Sequence, residues 1–241
     1  MVTYFILGSV FASFMYQLTS MDKINLKAIF NRSKCQSCHK RLHIIDLIPI
    51  ISFICLKGKC RFCKCMIPRD LFYVELCLAV LFVLPFLLHI SVNLTLYYYL
   101  IFFLIPLSIY DIFNWIIPNH MLMIMIFTMV IIFDVQNLNI TYSWLMIVVL
   151  HLIYFLSKGG IGYGDIKLFS ILSVLLSVNQ FLFTFMLSFM TSGIFVLFYV
   201  LITKRQITKV PLVPFITIAM LIVLFFNQQF EQYFLGGHYG Y

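Results

Sequence analysis

Long apolar runs separated by short polar connections make up most of the chain. The hydrocarbon core of a bilayer needs about 20 apolar residues per helix, and many of these runs approach that length. We therefore predict eight membrane-spanning helices, at residues 2–19, 71–90, 94–111, 120–134, 141–157, 165–178, 181–202 and 211–228. Several of them are short for a full crossing, so we expect some helices to end in protein-lined or water-filled space. The predicted fold class is an all-α, polytopic membrane protein.

The same pattern divides the chain into three parts. Residues 1–19 form a first transmembrane helix, which we expect to be retained because it lacks the basic start and the cleavage site of a signal peptide. Residues 20–70 form a cytoplasmic Cys-rich loop, and residues 71–241 form a membrane core of seven helices. Within the loop, Ile44 to Leu56 is apolar but short and is interrupted by Pro49. We predict a re-entrant or interfacial segment there rather than a ninth crossing.

The composition excludes several classes of protein. Of 241 residues, 63% are hydrophobic and 10% are charged, which rules out a fully soluble enzyme, a disordered chain and a secreted disulfide scaffold. The net charge of +8 raises the question of nucleic acid. The basic residues do not follow a groove-binding helix with interleaved aromatics, so we expect a lipid bilayer and no nucleic acid as a partner.

The positions of the basic residues predict the topology. Eleven of the 16 lie between the first two spans: Lys23, Lys27, Arg32, Lys34, Lys40, Arg41, Lys57, Lys59, Arg61, Lys64 and Arg69. The other five lie in or beside connections that emerge on the same face: Lys158, Lys167, Lys204, Arg205 and Lys209. The opposite connections, near 91–93, 135–140 and 179–180, and the tail from 229 to 241 contain no Lys or Arg. We therefore expect the basic face to be cytoplasmic and both termini to lie outside.

Four cysteines in the loop have the spacing of a zinc ribbon. Cys35 and Cys38 form one CxxC knuckle, and Cys60 and Cys63 form a second. Two such knuckles can present four thiolates to one ion in a closed tetrahedral site. Since the cytoplasm disfavours disulfides and neighbouring cations stabilise thiolates, we predict a structural zinc ion, with reduced free thiols as the alternative.

Other residues near the knuckles leave alternatives open. Cys65 flanks Cys63 and could replace it as the fourth ligand. His39 and His43 could also compete, but four thiols already suffice, so we leave both out of the site. Cys55 and Cys77 lie in apolar runs and are expected to be small buried hydrophobic residues.

The eight carboxylates are candidates for chemistry because an ionisable group within a membrane helix is costly. Asp22, Asp46 and Asp70 fall in the loop, and Asp134 and Glu231 on the outer face, where we expect ordinary solvated charges. Glu75, Asp111 and Asp165 remain. We expect Glu75, one turn into the second span, to pair with a basic group of the loop as a secondary candidate for the site.

Asp111 and Asp165 are predicted to share one membrane depth. Asp111 ends the third span on the cytoplasmic side, and Asp165 opens the sixth span there, after four glycines: Gly159, Gly160, Gly162 and Gly164. These glycines permit a close backbone approach to Asp165, so Gly162 and Gly164 are candidates for contact with substrate. A phosphate-binding loop is disfavoured, because no Gly-Lys-Ser/Thr follows and the acidic residue would repel phosphate. Lys167 should face away from Asp165 and reach headgroups or another loop.

Paired aspartates can hydrolyse a peptide bond without a covalent intermediate. One carboxylate takes a proton from water while the other, protonated, polarises the carbonyl, and two like charges a few ångströms apart readily share a proton. The structural alternatives are a helix-dipole charge for Asp165 and a solvated helix end for Asp111. Two rival functions are an ion-coupled transporter with a proton relay, disfavoured because neither carboxylate lies at the midplane, and a non-catalytic zinc-ribbon scaffold.

These motifs resemble the type IV prepilin peptidase family of membrane aspartic proteases, which carry a GxGD signature. Gly8 to Phe14 is similar to the family's GxxxGSF start, with Ala12 where Gly is usual, and the knuckles resemble its metal-binding insert. The remaining similar segments are Ile48 to Ser52, Pro68 to Glu75, Asp111 with Ile117 to Asn119, Gly159 to Leu168, and Lys209 to Phe215. The motifs occur in the family's order along nearly the whole chain.

The resemblance implies cleavage of the basic leader of type IV prepilins or pilin-like precursors, at the cytoplasmic face of a bacterial inner or plasma membrane. It implies that Asp111 and Asp165 are the catalytic pair. Many members also N-methylate the new terminus with S-adenosylmethionine. This chain departs from the family at Met15 to Ser20, where Asn and then Arg are usual, so methylation stays an open alternative. The small size resembles the branch that processes competence pseudopilins.

Overall fold

The structure is a computed structural model that describes residues 1–21, 33–35, 37–88, 93–133, 140–205 and 209–226. Some of the predictions fall outside these residues. They concern the carboxylates Asp22, Asp134 and Glu231, the cations Lys23, Lys27 and Arg32, most of the connections at 91–93 and 135–140, and the tail from 229 to 241.

The described residues form nine α-helices. Their bounds are α1 Val2–Thr19, α2 Ile51–Cys55, α3 Arg69–Leu88, α4 Leu94–Asn114, α5 Asn119–Ile132, α6 Ile140–Leu156, α7 Tyr163–Leu175, α8 Val178–Thr203 and α9 Val213–Phe225. Each of the eight predicted spans overlaps one of these helices, and only α2 lies in the loop. The all-α membrane fold class is therefore confirmed.

The helices differ in whether they are long enough to cross a bilayer. Among the described residues, α1, α3, α4 and α8 are long and apolar enough, whereas α5, α6 and α9 are shorter apolar helices. Helix α7 has 13 residues, which at 1.5 Å per residue gives a length of about 20 Å. The prediction that some helices fall short of a full crossing agrees with these lengths.

Helix α4 is the centre of the bundle. It packs against α1, α3 and α9, and its side chains at Leu100, Leu104 and Leu107 are fully buried. At its start, the side chain of Asn93 accepts a hydrogen bond from the backbone N–H of Leu96. At its other end, Trp115 adopts a left-handed conformation with φ of 60° and stops the helix, which extends past the predicted end at residue 111. The last turn of α4 is largely exposed, and Asp111 is its buried residue.

The Cys-rich loop folds into two matching knuckles and one apolar segment. In each knuckle a backbone bridge closes the turn, Lys34 with Arg41 in the first and Lys59 with Met66 in the second. The apolar segment contains a 3-10 turn at Ile44–Leu47 followed by α2. Neither element is long enough to cross a bilayer, which agrees with the prediction that this segment is not a ninth crossing.

The expected burial of two cysteines is wrong. Cys55 in α2 and Cys77 in α3 are both exposed on the protein surface. An apolar run in a membrane protein can face lipid instead of protein, so hydrophobic neighbours do not predict burial inside the chain.

Candidate active site

Asp111 lies in the last turn of α4 and is buried, with 6% of its surface exposed. Its Oδ2 accepts a hydrogen bond of 3.2 Å from the backbone N–H of Val213, the first residue of α9. The first turn of a helix has backbone N–H groups without partners inside the helix, so the start of α9 offers a donor at this point. The alternative of a solvated helix end is therefore wrong for Asp111.

A pair of hydroxyl side chains, one turn before Asp111 in α4, joins α4 to α9. The hydroxyls of Ser108 and Thr217 lie 2.6 Å apart, and both residues are buried. Thr217 also donates to the backbone carbonyl of Val213. The backbone N–H of Val213 is the group that donates to Asp111. The two hydroxyl contacts therefore position this donor as well as the start of α9.

Asp165 lies in the first turn of α7, which begins two residues earlier than the predicted span. It is partly exposed, and the backbone of Gly162 hydrogen-bonds its carboxylate. Asp111 and Asp165 lie close enough for their charges to interact. The fold thus brings together two carboxylates that belong to separate helices, although two further helices lie between them in the sequence.

Two contacts join the segments that carry these carboxylates. A Cβ added at Gly164 would lie 3.2 Å from Cβ of Ile117, so the glycine lets α7 approach the connection that follows α4. Nζ of Lys167 donates a 2.8 Å hydrogen bond to Oδ1 of Asn119 and lies 4.7 Å from the ring centre of Tyr163. Lys167 is predicted to reach either lipid headgroups or another loop. In the structure it contacts another part of the chain, Asn119 at the start of α5.

Gly162 lies directly against the carboxylate of Asp165. A Cβ built at this glycine would be 2.7 Å from Oδ2 of Asp165, closer than real Cβ contacts. Only glycine leaves the carboxylate in its present position. Gly159 has a different requirement, because its φ of +87° is a conformation that side chains disfavour.

Glu75 was predicted to pair with a basic group of the loop, and its partners among the described residues are neutral instead. Glu75 is buried, and its Oε2 accepts a 2.8 Å hydrogen bond from the backbone N–H of Ile50. The hydroxyl of Ser13 is a second hydrogen-bond partner. Glu75 therefore joins the loop to α1 and α3 through neutral donors.

Two loop carboxylates also differ from the prediction of solvated charges. Asp46 is buried and forms a bidentate ion pair with Arg61, whose Nη2 lies 2.7 Å from Oδ1. The hydrogen bonds of Arg61 hold the pKa of Asp46 below its ordinary value. The ion pair therefore stabilises the folded protein fully at pH values above the ordinary pKa of an aspartate, and this stabilisation is lost as the pH falls through the lowered pKa of Asp46. Asp70 accepts a hydrogen bond from the hydroxyl of Tyr16.

The four predicted ligand cysteines form a group that could hold a metal ion. The sulfur atoms of Cys35, Cys38, Cys60 and Cys63 all lie within 4.8 Å of one another. A tetrahedral site with Zn–S bonds of about 2.3 Å needs sulfur atoms about 3.8 Å apart. The sulfurs of Cys35 and Cys63 are 3.7 Å apart, and backbone groups of Cys38 and Ser37 lower the pKa of Cys35. This geometry and the stabilised thiolate fit structural zinc.

Cys65 lies beside this group. Its sulfur is 3.1 Å from that of Cys63, whereas two ligands of one tetrahedral zinc ion have sulfur atoms about 3.8 Å apart. Cys63 and Cys65 are therefore too close together to bind the same ion at these positions. Its backbone carbonyl accepts from Cys60, as the carbonyl of Lys40 does from Cys35 in the first knuckle. Cys65 therefore occupies the position after a knuckle, which favours Cys63 as the fourth ligand.

Sequence reasoning missed the backbone donor at Val213 and the pair Ser108 and Thr217. A backbone N–H carries no side-chain signal, and single hydroxyl residues in a membrane helix usually bond to their own helix. The Pro-rich segment from Lys209 to Phe215 was the available signal, because it marks the start of α9.

Comparison with known proteins identifies two matching family models. The bacterial peptidase A24 N-terminal domain matches residues 6–89, and the type IV leader peptidase family matches residues 98–197. No solved structure matches the chain.

Curated relatives match over most of their length. A prepilin leader peptidase/N-methyltransferase of Bacillus subtilis is 28% identical, covering 96% of each chain. A protein of the same name from Vibrio cholerae is 31% identical, covering 91% of this chain and 92% of the relative. These matches do not support the transporter alternative, and the competence branch stays a prediction. The chain belongs to the type IV leader peptidase family.

Proposed function

We propose that this protein is a membrane aspartic endopeptidase that removes the basic leader from type IV prepilins or pilin-like precursors, with Asp111 and Asp165 as its catalytic pair. The observation that carries the proposal is the proximity of two carboxylates from separate helices, Asp111 buried at the end of one and Asp165 in the first turn of the other, close enough for their charges to interact. The names of the relatives, which are prepilin leader peptidases, support the substrate class.

The proposed reaction divides acid and base roles between the two carboxylates. The ionised carboxylate takes a proton from water, which attacks the scissile carbonyl, while the protonated partner donates a hydrogen bond to the carbonyl oxygen. Collapse of the tetrahedral intermediate breaks the C–N bond, and the leaving nitrogen receives the proton that the first carboxylate took from water. Backbone groups at Val213 and Gly162 hold the two carboxylates during these steps.

The substrate would lie along the glycine segment. A prepilin offers a basic leader followed by an apolar helix, so its scissile bond lies at the membrane surface. That bond must leave its helix, because a helical carbonyl is hydrogen-bonded and shielded from water. Gly162 and Gly164 would leave room beside Asp165 for an extended strand.

The loop would be cytoplasmic and would hold one structural zinc ion through Cys35, Cys38, Cys60 and Cys63. A site closed by four thiolates has no open coordination position, so the metal would stabilise the loop and take no part in hydrolysis. The basic residues support a cytoplasmic loop and active site, with both termini outside, in a bacterial inner or plasma membrane.

N-methylation is a separate activity named for the relatives. S-adenosylmethionine would be the methyl donor that the family resemblance implies. The departure at Met15 to Ser20 lies at the end of α1, where Met15 and Leu18 are buried in the bundle. The family usually has Asn and then Arg in this segment, and this chain has neither there. We therefore propose proteolysis as the main activity and N-methylation as an open alternative.

One assay separates the two activities. Purified protein is incubated in detergent with a pilin-type precursor, with and without S-adenosylmethionine, and the products are weighed as intact proteins. Loss of the leader in both conditions supports the peptidase, and an added methyl group only with S-adenosylmethionine supports the second activity. An uncleaved precursor with a folded enzyme would contradict the proposal.

A further inference from the structure

The apolar segment of the loop carries a row of exposed isoleucines and leucines. Ile44 and Ile45 are 78% and 68% exposed, and the other members of the row are Leu47, Ile48, Ile51 and Ile54. We call this set the isoleucine ridge. Six exposed apolar side chains within 11 residues mark a site of contact with another apolar phase.

The ridge is held firmly against the helix bundle. Between its members, Asp46 is tied to the second knuckle through Arg61. The backbone of Ile50 donates to Glu75 in α3, and the ring of Phe53 stacks on Phe72 with centroids 4.7 Å apart. The exposed side chains therefore project from a fixed backbone.

These contacts set the depth of the ridge in the membrane. Phe72 and Glu75 lie within the first two turns of α3, about 5–9 Å along the helix axis from its start. Since α3 is long and apolar enough to cross a bilayer, the ridge lies beside its first two turns. This is the depth at which interfacial segments bury their apolar side chains.

Basic residues bracket the ridge in the sequence. Lys40 and Arg41 precede it, and Lys57 and Lys59 follow it. We propose that the isoleucine ridge inserts into the interfacial region of the bilayer, with these cations on anionic lipid headgroups. Cations near an anionic surface strengthen binding of an apolar segment. The bilayer then helps to fix the cysteine module relative to the helices.

Photolabelling from lipid tests this proposal with the full chain. The protein is placed in bilayers that contain phosphatidylglycerol and a phospholipid with a diazirine in its acyl chain. Trypsin cuts after Arg41 and Lys57 and so releases residues 42–57 as one peptide. We expect label on this peptide as well as on peptides from α1 and α3. Labelled α1 and α3 with an unlabelled ridge peptide would overturn the proposal.

Two variants and two changes of conditions sharpen the test. Ile45→Asp should lose most of the label on this peptide, whereas Ile45→Leu should keep it. Replacing phosphatidylglycerol with phosphatidylcholine should lower the label, and no change would overturn the role of the cations. Loss of label on adding a pilin-type precursor would show that the ridge binds substrate instead of lipid, which also overturns the proposal.

Discussion

Replacing Gly162 with alanine should impair catalysis more than it impairs folding. The added Cβ would lie 2.7 Å from Oδ2 of Asp165, and ordinary contacts begin at 3.4 Å, so the oxygen must move by about 0.7 Å. A displacement near 1 Å can reduce catalysis about 100-fold. The backbone of Gly162 has φ of −64°, which alanine adopts without strain, so the helix should still form.

Two other glycines give a graded comparison. A Cβ at Gly164 would lie 3.2 Å from Ile117, so Gly164→Ala should cause a smaller loss of activity. Gly193 has no atom within 4 Å of an added Cβ and lies within α8, so Gly193→Ala is the control that should cleave normally. The assay measures kcat and KM for leader removal, with thermal unfolding measured alongside. Wild-type kcat in a folded Gly162→Ala protein would refute the proposed placement of Asp165.

Three further predictions concern the loop and the contacts between helices. Cys60→Ser should lose bound zinc and make the loop more sensitive to protease, whereas Cys65→Ser should keep the metal; equal zinc content in both would contradict the ligand assignment. Lys167→Met should lower kcat/KM about fivefold by removing one hydrogen bond to Asn119, with partial recovery in Lys167→Arg, as steady-state kinetics would measure. Asp46→Asn should leave Arg61 without its charged partner and speed limited proteolysis of the loop while zinc is retained; unchanged proteolysis would contradict a structural role for the pair.

Helix positions and the aspartate pair followed from general physical rules. Apolar runs predict membrane helices because the bilayer excludes unpaired backbone groups, and each predicted span overlaps a helix. The sequence indicates Asp111 and Asp165 as functional residues because carboxylates at membrane depth are costly.

Other features depended on tertiary contacts that no local pattern encodes. The position of Asp46 in the loop predicts a solvated charge. In the structure Asp46 is buried and forms an ion pair with Arg61, which is 15 positions away in the sequence, so no local pattern indicates the contact. Glu75 meets a backbone N–H, which any residue type at position 50 other than proline could supply. Cys77 is exposed on α3, and the hydropathy of a run does not distinguish a side that faces lipid from one that faces protein.

The central claim is that Asp111 and Asp165 act as one catalytic unit. The most direct measurement is leader removal by Asp111→Asn, Asp165→Asn and the double variant, followed by intact mass with folding checked separately. Each single variant should be as inactive as the double variant, because residues that act together are not additive. Near-normal turnover by either single variant would contradict the account.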